Sequence, residues 1–143
     1  MGFPFNLHGT DWATHRAAFG KPAAAVAEWL AALADGDPLT REEASLELRE
    51  ALAGKDQIAE VAPHAIEPLV ALVSSEAGKG RGLAAIVLAD LALCAKTFPA
   101  PAAEALLGLV EAERAAFELI AARHAASTGL GAAVRALLLV LSP

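Results

Sequence analysis

The sequence is poor in the residues on which strands and disulfide scaffolds depend. Its 143 residues include no tyrosine, two tryptophans, five phenylalanines and one cysteine, Cys94. Aromatic and β-branched residues favour strands, whereas alanine and leucine, which dominate this chain, favour helices. A single cysteine excludes an intramolecular disulfide framework. We therefore expect an all-α fold with no sheet, formed by one domain over residues 1–143.

Long hydrophobic runs and targeting signals are also missing. The most apolar stretches, Leu83–Ala95 and Leu130–Leu141, each contain a charged residue and fall short of the about 20 residues that a membrane-spanning helix needs. The first eight residues lack the basic and apolar regions of a signal peptide. We expect a cytoplasmic protein that does not bind a membrane.

Negative charge is concentrated in one part of the chain. Between Glu28 and Glu67 there are ten acidic and three basic residues, whereas the whole chain has a net charge of −6. An acidic surface repels the phosphate backbone of nucleic acids and attracts basic proteins. This pattern favours a basic protein partner over nucleic acid, and the alternative is a solvated helix surface without a partner.

Capping residues, prolines and glycines divide the chain into about six or seven helices. A short helix is expected from Thr10 or Asp11 through Phe19. The others are expected over residues 23–34, 40–53, 63–75, 83–96 and 102–126, with a last helix that reaches Leu141. Thr40 and Glu43 have the spacing of a capping box at the start of the third helix.

One pattern recurs along the chain. Glu-x-Leu-x-x-Leu, followed by Ala or Val, begins at Glu28, Glu67 and Glu104, at offsets of 39 and 37 residues. A weaker match joins Ala44–Leu48 to Ala84–Leu88 at an offset of 40. Helix pairs that recur about every 40 residues are typical of HEAT and armadillo repeats. The expected units are residues 22–54, 55–97 and 98–143, after an N-terminal capping segment, 1–21.

Further motifs accompany the repeat over residues 11–95. They are Asp11-Trp12 with His15 and Gly20, Trp29-Leu30-Ala-Ala-Leu33 with Asp37-Pro38, and Ala62-Pro63-x-Ala65-Ile66-x-Pro68-Leu69. On these residues the chain resembles bacterial HEAT-like repeat proteins. It is also similar to small repeat proteins encoded beside polymorphic toxins, some of which act as immunity proteins. The resemblance implies a short HEAT-like α-solenoid of about three helix pairs that binds a protein. The third unit departs from the pattern, because no loop signal divides residues 102–126.

The repeat also predicts a shared core, since one helix pair cannot bury its apolar face alone. Its expected members are Trp29, Leu30, Leu33, Leu48, Leu69, Leu72, Ile86, Leu88, Leu106 and Leu109.

The third helix carries the candidate binding residues. At about 100° per residue, an apolar stripe forms on one side, and Glu43, Glu47 and Glu50 share the adjacent face, with Leu46 beside them. The members of the apolar stripe are Ala44, Leu48, Ala51 and Leu52. Leu46 is expected near the outer side of this helix. In HEAT-like proteins the second helix of each pair usually lines the concave binding surface, so the resemblance places Glu43, Leu46, Glu47 and Glu50 against a basic partner. The alternative is that the glutamates form only a solvated face.

Residues suited to catalysis or cofactor binding are few. Cys94 lies in an apolar run, which predicts a buried and inert thiol. Residues 78–82, Gly-Lys-Gly-Arg-Gly, lack the spacing of a phosphate-binding loop and predict a flexible loop between repeats. We expect no enzymatic activity and no cofactor.

The four histidines suggest structural roles. Asp11 and His15 are one helical turn apart, and His8 could lie near them. They supply two metal ligands on one face at best, without a known metal-binding motif. His64 follows Pro63, and His124 lies near the end of a helix, so both suit helix caps. We expect no metal site.

The last helix is apolar almost all round, with Arg135 as its only charge. Because a terminal repeat needs a polar outer face, residues 130–141 predict contact with a second copy or a partner, or a helix folded back into the last repeat.

Three hypotheses for the function of the chain follow from the sequence. The chain is an immunity protein that binds a basic toxin, an oligomeric scaffold that self-associates through this helix, or a small HEAT-like enzyme or nucleic-acid module. The third requires a basic groove or a reactive Cys/His pair, and the sequence shows neither.

Overall fold

The computed structural model describes residues 6–54, 57–76 and 79–142, and its fold is all-α. In these residues, short 3-10 turns precede seven α-helices. The helices are α1 (Ala25–Ala32), α2 (Pro38–Leu52), α3 (Ala62–Ser74), α4 (Arg81–Thr97), α5 (Pro101–Glu111), α6 (Arg114–Arg123) and α7 (Gly129–Leu141).

The N-terminal segment is not the single helix that the sequence predicts. It forms three 3-10 turns, Leu7–Gly9, Trp12–Thr14 and Ala18–Gly20. Trp12 is buried, and its indole N–H donates a hydrogen bond to the Leu7 carbonyl oxygen at 2.7 Å. The buried indole of Trp12 therefore helps to hold this segment on the core.

Asp37, and not Thr40, caps α2. Its carboxylate accepts hydrogen bonds from the Leu39 amide at 3.3 Å and from the Thr40 hydroxyl at 2.9 Å. Pro38 takes the first helical position, where its missing N–H costs nothing. The helix thus begins before Thr40, and the capping box predicted for Thr40 and Glu43 is wrong.

A small sheet follows α2, so the prediction of no sheet is also wrong. Strands β1 (Ala53–Gly54) and β2 (Gln57–Ile58) are antiparallel, with Ala53 opposite Ile58. Each strand has two residues, which is too short for an alternating pattern to appear in the sequence.

Helix α4 lies at the centre of the packing and contacts α2, α3, α5 and α7. Helix α1 contacts α2 and α3, helix α3 also contacts α5, and helix α6 contacts α7. In the third expected unit α5 and α7 therefore pack on α4, whereas α6 packs on α7. The HEAT-like solenoid and its unit boundaries stay a prediction.

Most of the predicted core is buried, and three of its members are not. The side chains without exposed surface are Leu30, Leu33, Leu48, Leu69, Leu72, Leu88 and Leu106. Trp29 is half-buried, Ile86 is 37% exposed and Leu109 is 45% exposed. Ile86 lies on the side of α4 that its neighbouring helices leave uncovered, and Leu109 faces a groove beside α3. Phe117, which the sequence did not single out, is fully buried.

Residues 102–126 form two helices rather than one. The break at Ala112 and Glu113 contains neither proline nor glycine, which explains why the sequence did not reveal it. Arg114 donates hydrogen bonds to the Glu111 carboxylate at 2.9 Å and to the Leu141 carbonyl oxygen at 2.8 Å. The break thus turns the chain so that Arg114 reaches the end of α7.

Helix α7 is folded back against α4 and α6. Its buried residues are Gly131, Ala133, Val134 and Leu137. Arg135 donates hydrogen bonds to the carbonyl oxygens of Ala121 and His124 at 2.7 and 2.8 Å, and so caps the end of α6. Leu139 points outward and is 74% exposed. Because α7 packs against α4 and α6, the chain itself covers most of the apolar side chains of this helix. A homodimer through residues 130–141 stays a prediction.

Gly80 is required where α4 begins. Its φ of +77° lies in the left-handed region, and a Cβ at this position would lie 1.8 Å from the Leu33 carbonyl oxygen. A side chain here therefore meets both backbone strain and the end of α1.

We expect Gly80→Ala and Gly108→Ala to change stability in opposite directions. Gly80→Ala should lower the free energy of unfolding by more than about 2 kcal/mol. Gly108 lies inside α5 with open space around its Cα, so alanine there should raise the free energy of unfolding by roughly 0.5 kcal/mol. Urea unfolding measures both values, and equal effects of the two variants would contradict this packing of α4 against α1.

Candidate protein-binding surface

The acidic side of α2 faces away from the core. The predicted apolar stripe beneath it is buried, namely Ala44, Leu48, Ala51 and Leu52. Glu43 and Glu50 are exposed, Glu47 is half-buried, and Leu46 is 52% exposed. Leu39, seven residues before Leu46 and so on the same side of the helix, is 62% exposed. The outward face of α2 thus combines carboxylates with two large apolar side chains.

Two of the three predicted glutamates bind a lysine of the chain itself. The ammonium nitrogen of Lys21 lies 2.6 Å from a Glu47 carboxylate oxygen and 3.2 Å from one of Glu50. It also lies 5.7 Å from the ring centroid of Trp29. The hydrogen bond to Glu47, together with Glu50, raises the pKa of Lys21. Glu47 and Glu50 therefore hold the N-terminal segment on α2, whereas Glu43 has no ion pair within the described residues.

Helix α4 extends the outward face of α2. Arg49 forms an ion pair with Asp90 across the two helices. Asp90 is four residues from Ile86 and three from Leu93, so these side chains share one side of α4. Leu93 is 52% exposed. We refer to the outward residues that flank this ion pair as the α2–α4 surface. They are Leu39, Glu42, Glu43, Leu46, Ile86 and Leu93.

Of the residues of this surface the sequence predicted Glu43 and Leu46, and it missed Leu39 and Glu42 of α2 and both residues of α4. Ile86 was placed in the core. The 40-residue offset nevertheless aligns Ile86 with Leu46, which was expected near the outer side. That alignment could have identified Ile86 as an outward residue. Leu93, seven residues later on α4, lies on the same side of the helix and could then have been identified too.

The basic groups around this surface are engaged by the chain itself. Arg41 donates a hydrogen bond to the Asp35 carbonyl oxygen at 2.7 Å, and Lys96 donates one to the Val140 carbonyl oxygen at 2.7 Å. Arg49 is paired with Asp90. Glu42 and Glu43 are exposed without such partners in the described part of the chain. Within the six residues of the α2–α4 surface, Glu42 and Glu43 thus carry the charge, and they lie beside exposed apolar side chains.

His15 meets Glu60 and His64 rather than Asp11. Its Nδ1 lies 3.1 Å from Glu60 Oε2, and its ring stacks on that of His64 with 3.9 Å between centroids. Glu60 also accepts a hydrogen bond from the Arg16 amide at 3.0 Å. The carboxylate thus joins the N-terminal segment to the start of α3. The hydrogen bond from His15 and the one from Arg16 lower the pKa of Glu60.

The other residues singled out from the sequence include Cys94, His124, His8 and Gly78. Cys94 is half-buried, so the prediction of a buried thiol is wrong. His124 is the C-cap residue of α6. Gly78 and the side chain of His8 lie outside the described residues, and among the described ones no three His, Cys, Asp or Glu side chains are placed to hold a metal ion. None of the described helices has the length and hydropathy of a membrane-spanning segment.

We expect acid to weaken the attachment of the N-terminal segment through Glu60. Because the folded pKa of Glu60 is lowered, its contribution to stability is complete above its ordinary value of 4.5 and is lost as pH falls through the folded pKa. Glu60→Gln should therefore reduce stability at neutral pH and flatten the acid limb of the stability curve. Urea unfolding over this pH range measures the effect.

The control for this prediction is Glu104→Gln, since Glu104 is exposed on α5. It should leave the acid limb as it is in the wild type. If the acid limb of the Glu60→Gln variant equals that of the wild type, the contact between Glu60 and His15 does not contribute to stability.

Comparison of the chain with protein-family models, with curated proteins and with solved structures gives no match. The HEAT-like resemblance stays a prediction.

Proposed function

We propose that this protein is a non-enzymatic protein-binding module and that its α2–α4 surface binds a basic protein. The observation that carries the proposal is the placement of Leu46 and Ile86 beside Glu42 and Glu43, which have no basic partner within the described chain. Contiguous exposed apolar side chains bordered by polar ones are typical of interaction sites.

The two kinds of side chain contribute differently to binding. Burial of Leu39, Leu46 and Leu93 under a partner removes apolar surface from water and so slows dissociation. The unpaired carboxylates attract a basic partner before contact and so speed association. This division supports binding to a protein, because a nucleic acid would be repelled by the same carboxylates.

The partner that we propose is a basic toxin domain, which makes the chain an immunity protein. The support is the sequence resemblance to repeat proteins encoded beside polymorphic toxins, together with the sign of the charge on the α2–α4 surface. A toxin whose basic surface contacts its target would be neutralised when the α2–α4 surface covers that region.

The charge contribution is tested by reversing Glu42 and Glu43 together to lysine. We expect the association rate constant with the polypeptide encoded beside this chain to fall roughly tenfold at low ionic strength, with a smaller difference at high salt. Glu47 and Glu50 are left unchanged because they hold Lys21. Surface plasmon resonance at two salt concentrations measures the rates.

The matched controls separate charge from contact. Glu104→Lys, on α5, reverses an exposed carboxylate outside the α2–α4 surface and should leave association nearly unchanged. Leu46→Ala should instead increase the dissociation rate constant while association stays within about twofold. Equal effects of the Glu42/Glu43 and Glu104 variants would overturn the assignment of this surface, and no binding to the neighbouring polypeptide would overturn the immunity proposal.

A second candidate function is self-association through α7, and the exposure of Leu139 favours it. This side chain lies three residues after Ala136 and seven after Ala132, which are also exposed, so the three residues form an apolar stripe on the outward side of the helix. Leu138 and Val140 pack against the core, so substitutions there would damage the fold.

We therefore expect Leu139→Asp to keep the wild-type helical content and to convert a dimer into a monomer in light scattering, because a charge would then lie in the shared apolar stripe. Ala132→Ser, a small polar change on the same stripe, serves as the conservative control. A wild-type protein that is monomeric at high concentration would contradict self-association.

A further inference from the structure

A groove on another part of the molecule has not been assigned a role above. It has a volume of about 420 Å³ and lies between α3 and the end of α5. Its lining residues include Pro63, His64, Ile66, Glu67, Val70, Leu109 and Glu113. This volume falls within the range of sites that hold a small ligand or a large side chain. None of the lining residues belongs to the α2–α4 surface.

The groove combines an apolar wall with two carboxylates that lack counter-ions. Val70 and the 45% exposed Leu109 supply apolar surface. Glu67 lies in α3 and Glu113 in the break between α5 and α6, and neither side chain has a hydrogen bond or an ion pair in the described chain. No lysine or arginine is among the residues that line the groove. The lining of the groove therefore has no cation of its own and offers two carboxylates as acceptors for one.

One edge of the groove is held in place by contacts behind it. His64 lines the groove and stacks on His15 with 3.9 Å between ring centroids. Glu60 accepts a hydrogen bond from the Arg16 amide, and the Val61 amide donates one to the Arg16 carbonyl oxygen at 2.9 Å. These contacts fix the start of α3, so a ligand would not have to order this edge on binding.

The distribution of the acidic groups favours an extended organic cation over a metal ion. In the described residues, His64, Glu67 and Glu113 do not converge into a group that could hold a metal. A guanidinium group is planar and carries donors on several sides, so it can hydrogen-bond to more than one carboxylate. It is also more weakly hydrated than the ammonium group of lysine, so it loses less on leaving water for a groove with an apolar wall.

We propose that this groove binds an arginine side chain of a protein partner. The guanidinium group hydrogen-bonds to Glu67 and Glu113, and the methylene chain packs on Val70 and Leu109. This inference goes beyond the proposed function, because it concerns a different surface and would hold if the α2–α4 surface bound nothing.

The proposal is tested on the full chain by NMR titration with N-acetyl-arginine amide. The matched probe is N-acetyl-citrulline amide, which has almost the same shape and no charge. We expect the arginine probe to shift the amide resonances of residues 63–70 and 109–113, and the citrulline probe to bind at least tenfold more weakly, because charge-assisted hydrogen bonds to both carboxylates are lost.

Variants then localise the effect. Glu67→Gln and Glu113→Gln should each weaken binding of the arginine probe roughly tenfold, whereas Glu118→Gln, an exposed glutamate on α6, should not change it. Wild-type-like unfolding curves would show that the variants fold.

Three results would overturn the proposal. Equal binding of the citrulline probe would mean that the groove selects apolar shape and not charge. Shifts spread over all acidic surfaces would mean nonspecific cation binding. Shifts in residues 63–70 that appear with rising protein concentration and without a probe would assign the groove to a second copy of the chain.

Discussion

The burial of α4 by four other helices is the constraint on which the rest of the structure depends. Its buried side chains are Ala84, Ala85, Val87, Leu88, Leu91, Ala92 and Ala95. Four of the seven are alanines, which allow neighbouring helices to approach closely. Covering this helix requires α7 to pack beside it, and that position forces the chain to turn at Ala112 and Glu113 before α6. Ile86 and Leu93 lie on the side of α4 that its neighbouring helices do not cover, and they belong to the α2–α4 surface.

Local spacing was enough to predict the parts of the fold that depend on one helix alone. The buried stripe of α2 follows from the positions of Ala44, Leu48, Ala51 and Leu52, because these residues repeat with the helical period and contact the same neighbours. The same spacing placed Leu46 on the outer side. The all-α class followed from composition. These predictions needed no knowledge of which helix lies next to which.

Features that depend on contacts between distant segments could not be predicted in this way. His15 and His64 are 49 residues apart, and their stacking depends on how the 3-10 turns lie against α3. Lys21 forms ion pairs with both Glu47 and Glu50, so the glutamates of this face without an ion pair in the described residues are Glu43 and its neighbour Glu42. The groove beside α3 is lined by Glu67 of α3 and by Glu113 from the break between α5 and α6. No local pattern contains that information.

Fold and candidate function draw on different charged residues. Arg135 caps α6, Arg114 reaches the end of α7, and Lys21 holds the N-terminal segment, so the positive charges of these residues serve the fold. The carboxylates that remain without partners, such as Glu43 and Glu67, contribute little to it. The chain has 17 acidic and 11 basic residues, so carboxylates without an ion pair remain on the surface and leave it negatively charged. We therefore expect substitutions of the unpaired glutamates to change stability little, so that they can test the proposed binding, whereas substitutions of the paired basic residues should act first on the fold.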